Sequence, residues 1–133
     1  TNKYTVDVGK KDMSGPTSYH HQIKAGELIF EENEFDEVAY LVVSGEVEIF
    51  RSSGNQEHVL ATVGRGEIIG EMSLIDSQPH VASARALSDI KVSVISRQSF
   101  QQRLDRLEKS DRVLRRLIGV LVDRLRGQDR ARW

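Results

Sequence analysis

Residues Gly66 through Ala86 read GEIIGEMSLIDSQPHVASARA. On either side of this stretch, apolar and polar residues alternate; within it the alternation stops. Glu71 stands between Gly70 and the apolar Met72 and Leu74, where a carboxylate is costly unless something pairs it. The run GEMSLID has no proline and no β-branched residue before Ile75, so it predicts one short helical turn opening after Gly70. Gln78-Pro79 then turns the chain into His80. A helix opening after a glycine presents free backbone N–H groups, and glycine lets a ligand approach the chain closely. A carboxylate accepts from a hydroxyl, as acidic residues do for ribose in nucleotide sites. Amides for a phosphate beside a carboxylate for a sugar point to a nucleotide.

Working outward, residues from Tyr19 to Ser96 read as short strands separated by turn residues at near-regular spacing. YHHQIK is followed by Ala25-Gly26, ELIF, and the acidic loop EENEFDE. AYLVVS meets Gly45. In EVEIF, Val47 and Ile49 fall on one side and Glu46 and Glu48 on the other. SSGN (Ser52–Asn55) predicts a hairpin turn into HVLATV, and Gly64-Arg65-Gly66 turns again. VASARA and IKVSVIS close the series around Ser88-Asp89. After Ser96 the apolar period changes from two to about 3.6. Ser96 is suited to cap a helix containing Phe100, Leu104 and Leu107. Ser110-Asp111 then starts a second helix, and Gly127 is suited to stop it. Strands first and helices last predict an α+β domain with helices gathered at one end of an antiparallel sheet.

The chain of 133 residues suits one domain: an arm over 1–18, strands over 19–96 and helices over 97–133. It has no cysteine, so neither a disulfide framework nor a thiolate metal site is available. No apolar run approaches membrane-spanning length. No charged-then-apolar leader opens the chain at Thr1, and the expectation is a soluble cytoplasmic domain excised from something longer. The net charge of −1 hides an asymmetry: residues 1–96 carry 8 basic and 15 acidic side chains, residues 97–133 carry 11 and 5. A basic tail of this kind is usually the solvated face of a helix, and direct nucleic-acid binding by this segment is not expected.

The Gly66–Ala86 stretch resembles the phosphate-binding cassette of the cyclic nucleotide-binding domain family, which includes catabolite activator-type regulators and protein kinase A regulatory subunits. The family pattern is a Gly-Glu pair, a short apolar helix, a loop, then Pro-Arg, small residues and Ala. Here it is met by Gly70-Glu71, Met72 to Ile75, Asp76-Ser77-Gln78, Pro79 and Ala82-Ser83-Ala84. IKAGELIFEENEFDEVAYLVVSGEVEIF is similar to the family's opening, and the likeness runs from about Ile23 to Leu125. It implies an eight-stranded antiparallel β-roll of jelly-roll type with flanking helices and two C-terminal helices. By the same resemblance, Glu71 accepts the ribose 2′-hydroxyl and Gly70 with the amides around Met72 and Ser73 lines the sugar-phosphate. Val81 and Ala82 offer backbone near the phosphate. The helix from Ser110 is the hinge that moves over the pocket, and in many relatives it forms a dimer seam; Leu114, Ile118, Leu121 and Leu125 are spaced for one.

The departure is His80, where the family places arginine. Arginine holds a phosphate with a planar fork and permanent charge, whereas histidine is shorter and offers one donor on any edge. Three explanations stand open: a weakened anion site that strengthens when His80 is protonated, a pocket adapted to another ligand, or a scaffold that has lost its ligand. Arg85 reads as solvent-facing. Val81 has no hydroxyl where members favouring cyclic GMP often carry one, so cyclic AMP is the expected ligand. An enzyme is disfavoured: neighbouring His20 and His21 face opposite sides of a strand, and His58 and His80 complete no ligand set or nucleophile-base pair. No cofactor or metal is expected.

Overall fold

The computed structural model describes residues 19–127. The expected arm over 1–18, and any helix ahead of the strands, lie outside the described residues. Eight strands follow the chain: β1 (Tyr19–Ile23), β2 (Leu28–Phe30), β3 (Val38–Ser44), β4 (Val47–Ser53), β5 (Gln56–Val63), β6 (Ile68–Ile69), β7 (Ser83–Ala86) and β8 (Ile90–Ser96). The helix α1 (Glu71–Asp76) separates β6 from β7, and α2 (Arg97–Ser110) and α3 (Arg112–Arg126) follow β8. One sheet has the order β1-β8-β3-β6 and the other β2-β7-β4-β5, every pairing antiparallel. This is the α+β, jelly-roll type β-roll with two helices at its C-terminal end.

The two sheets enclose one apolar core. Val47 and Ile49 of β4, Ile90, Val92 and Val94 of β8, and Tyr40 and Val42 of β3 point inward. Period-two alternation puts them there, since successive strand side chains leave opposite faces. The strand β7 contributes only alanines to this core, Ala84 and Ala86, with Ala82 just ahead of it. The β3–β4 turn requires Gly45: its φ is 92°, and a Cβ would fall 2.5 Å from Cγ2 of Ile90. The β4–β5 hairpin turns through Gly54-Asn55. A register shift in that hairpin pairs Ile49 with Ala61 and Phe50 with Val59, leaving Leu60 as the extra residue of a bulge.

Both C-terminal helices start on side-chain caps. The hydroxyl of Ser96 accepts from the Ser99 amide at 3.1 Å, and the carboxylate of Asp111 accepts from the Leu114 amide at 3.0 Å. Each satisfies an amide that the first turn leaves without a backbone partner. The helix α3 packs one side against α1 and α2, where Ile118 and Val122 share a groove with Leu74, Phe100 and Leu104. Its other side leaves Leu114, Leu117, Leu121 and Leu125 exposed. So Ile118 turns toward the groove, and Leu117 stands in the outward row with the other three leucines.

Candidate functional site

The cassette is built on a glycine that could not be another residue. Gly70 caps α1 in the left-handed region, φ 74° and ψ 13°. A Cβ there would lie 2.9 Å from Cε1 of His80 and 3.4 Å from Phe30, so glycine is needed for both backbone and space. Glu71 follows as the first residue of α1 and is half-buried; Met72, Ser73 and Leu74 behind it are buried. The Ser73 amide donates to the Gly70 carbonyl at 3.2 Å, which closes the turn and occupies one of the amides expected to face a ligand. The Ser73 hydroxyl is buried with no hydrogen-bond partner among the described residues.

His80 is a core residue in this structure. It is 2% exposed, and its ring stacks on Phe30 with centroids 3.9 Å apart and planes at 14°. Its Nε2 lies 2.8 Å from Oδ1 of Asp36, whose side chain is only 1% exposed. Asp36 also accepts from the Tyr40 hydroxyl at 3.0 Å and the Val38 amide at 3.2 Å. Phe30 in turn stacks on Tyr40 at 5.6 Å. His80, Phe30, Tyr40 and Asp36 therefore form a closed circuit of two ring contacts and two polar ones. The backbone repeats the attachment: Asn33 donates to the His80 carbonyl at 2.8 Å and His80 to the Glu34 carbonyl at 2.9 Å. Because an ionised carboxylate only accepts, Nε2 carries the hydrogen in this pair. Nδ1 is the ring nitrogen on the Gly70 side, 3.4 Å from where a Gly70 Cβ would be.

Three arginines from other elements surround this region. Arg97, at the start of α2, donates through Nε to Glu37 at 2.7 Å and through Nη2 to the Ser77 hydroxyl. Arg85 lies on the outer face of the second sheet, 4.2 Å above the Phe50 ring and 2.7 and 2.8 Å from Glu48 and Glu57. The Arg85 hydrogen bond holds the Glu57 carboxyl below its ordinary value of 4.5, and the two carboxylates raise Arg85 above its own. Arg51 of β4 donates through Nε to the carbonyl of Val81 at 2.9 Å, one residue past His80.

The structure brings Gly70 against His80, and sets Val81, half-buried, at the cassette's edge with Ala82 wholly inside the core. Phe30, Asp36 and Arg51 were not singled out by sequence. Asp36 is hidden in an acidic loop that reads as solvated throughout. A signal for Arg51 was available: it continues the parity of Val47 and Ile49 and so belongs to the inward row.

Comparison with known proteins bears on this geometry. A family model described as the cyclic nucleotide-binding domain matches residues 20–106. The cyclic AMP receptor protein of Thermus thermophilus is 38% identical over 105 residues, 78% of this chain and 47% of that protein. A cAMP-dependent protein kinase regulatory subunit of Emericella nidulans is 36% identical over 84 residues, 63% of this chain and 20% of that protein. Among solved structures, the halfsite-occupied form of the EAL enzyme Bd1971 aligns with a TM-score of 0.77 at 34% identity, covering 83% of this chain and 96% of that one. The chain thus spans about half the length of the receptor and a fifth of the kinase subunit.

Proposed function

Since the chain belongs to the cyclic nucleotide-binding domain family, we propose that it is a regulatory module that binds a cyclic nucleotide, cyclic AMP by preference, and does no chemistry itself. The observation that carries this reading is the Gly70-Glu71 corner: a left-handed glycine pressed against His80, with a half-buried carboxylate opening a short helix. In this reading Glu71 takes the ribose hydroxyl, and backbone at Gly70, Met72, Val81 and Ala82 lines the sugar-phosphate, the Ser73 amide being already bonded to the Gly70 carbonyl. The absence of a hydroxyl at Val81 favours adenine over guanine. Among the described residues no helix is long and apolar enough to cross a membrane.

Signal passes through α3 in this reading. The guanidinium of Arg126, at its last turn, donates to the Ile75 carbonyl at the end of α1 at 3.1 Å. Movement of the cassette helix would thereby be felt at the C-terminal end of α3 and by an attached or partner domain. The exposed row Leu114, Leu117, Leu121 and Leu125 is the surface on which a second copy would pack. Calorimetric titration with cyclic AMP and cyclic GMP tests the function. Micromolar binding of cyclic AMP, lost in Glu71→Ala without a fall in melting temperature, is the expected result. Millimolar or weaker binding of both nucleotides would leave a scaffold role or a pocket adapted to another ligand.

A further inference from the structure

We infer that Arg51, reaching across from β4, supplies the positive charge that meets the ligand's phosphate, in the place of the arginine that His80 replaces. The inference rests on the cyclic nucleotide reading above. It begins with the inward row of β4. Val47 pairs with Ala86 and Ile49 with Ala84, and all four lie in the core; Glu48 with Arg85 and Phe50 with Ser83 make the outward pairs. The bulge in this hairpin falls on β5, so β4 keeps its alternation through Arg51. The β4–β7 ladder ends at Phe50–Ser83, and the inward parity of Val47 and Ile49 falls next on Arg51, which is half-buried. Its bond to the Val81 carbonyl fixes the guanidinium against the cassette loop at the end where α1 and His80 meet.

An arginine on the inward row of a β-roll is costly to desolvate unless its charge is used. The other arginines near the cassette are committed: Arg85 to Glu48 and Glu57, Arg97 to Glu37 and Ser77, and Arg126 to the Ile75 carbonyl and Asp123. No ion pair joins Arg51 to a carboxylate among the described residues. Nε is spent on Val81, which leaves the two terminal nitrogens, whose paired N–H groups suit two oxygens of one phosphate. His80 fits this part poorly: Asp36 holds its Nε2, Phe30 covers its ring face, and Nδ1 on the Gly70 side offers at most one N–H where a guanidinium offers a pair. The loop position is filled for packing, and the cation comes from the neighbouring strand.

The test is calorimetric titration of the unmutated protein, Arg51→Gln and Arg51→Lys with cyclic AMP and with adenosine, which lacks the phosphate, alongside each variant's melting temperature. Arg51→Gln should weaken cyclic AMP at least tenfold and leave adenosine within twofold. Arg51→Lys, which restores the charge without the paired donors, should recover part of the cyclic AMP affinity, and raising the salt should weaken the unmutated protein more than the Gln variant. Cyclic AMP binding to Arg51→Gln within twofold of the unmutated protein would overturn the inference while the nucleotide reading stands. Equal losses for both ligands, unrepaired by lysine, would overturn it too by showing that Arg51 only braces Val81. If the unmutated protein bound neither cyclic AMP nor cyclic GMP, both readings would fall together.

Discussion

At the scale of single residues, His80 holds the cassette in two ways. Its ring fills the space between Gly70 and Phe30, and its Nε2 satisfies a buried carboxylate. Removing one partner of a buried hydrogen-bonded pair typically costs about 3–5 kcal/mol, because the other is left unpaired. His80→Ala should therefore lower stability to urea by about 3 kcal/mol or more, where a purely surface ligand would change it by less than about 0.5 kcal/mol. His80→Arg asks whether the cassette accepts a second cation. Arginine keeps Asp36 as a partner and can stack its planar group on Phe30, so the fold should survive. With a second guanidinium at the cassette, cyclic AMP should bind at least about tenfold tighter, a gain of about 1.4 kcal/mol. The same substitution should rescue Arg51→Gln. Titration of the single and double variants checks both, and no gain in either background would mean that the pocket has changed shape as well as charge.

At the scale of elements, α3 divides its apolar residues between two sides. With 100° between residues, Ile118 and Val122 share the side toward α2 while Leu114, Leu117, Leu121 and Leu125 share another. Leu117 is 52% and Leu121 47% exposed, a continuous apolar edge four leucines long. A helix of 15 residues is short for a free coiled coil, but here it is already braced along its inner side. Two such edges packed antiparallel or parallel would give a homodimer. The paired variant Leu117→Glu/Leu121→Glu should convert that dimer to monomer in sedimentation equilibrium without altering circular dichroism. Sedimentation of the unmutated protein as a monomer at tens of micromolar would remove the dimer from the account.

For the whole molecule, polar ties join surfaces that apolar burial alone would leave loose. Arg85 ties β7 to β4 and β5 across the outer face of the second sheet, and Arg97 ties α2 to the acidic loop and the end of the cassette helix. The Arg85 tie has a testable pH signature. Its hydrogen bond lowers the Glu57 carboxyl in the folded protein below 4.5, with Coulomb attraction to Arg85 adding to it and partial desolvation opposing it. A carboxyl whose folded value is depressed stabilises the fold above its unfolded value and ceases to do so as pH falls through the folded one. Glu57→Gln should therefore be less stable than the unmutated protein at pH 7, by a small margin because the pair is exposed. The two proteins should converge as pH falls through that depressed value, below 4.5. A stability gap that persists unchanged at pH 3 would show that Glu57 acts through something other than its charge.

Much of this was already determined by the sequence. Local rules place the strands, the caps at Ser96 and Asp111, the Gly54-Asn55 turn and the switch from period two to 3.6, because each depends on neighbours within a few residues. The Gly-Glu pair, the short apolar turn and Pro79 likewise mark the cassette, through their resemblance to the family pattern. Three things depended on tertiary structure. Asp36 looks like any other charge of EENEFDE until the loop folds over His80 and buries it, 44 residues away in sequence. Arg51 looks like the polar end of a hairpin until the antiparallel ladder sets it beside Val81, 30 residues on. Leu117 and Ile118 are both apolar residues of one helix, and only the direction from which α2 approaches decides which is covered. Each is a contact between segments distant in sequence, made by sheet register or helix docking, and the pattern of either segment alone contains no record of its partner.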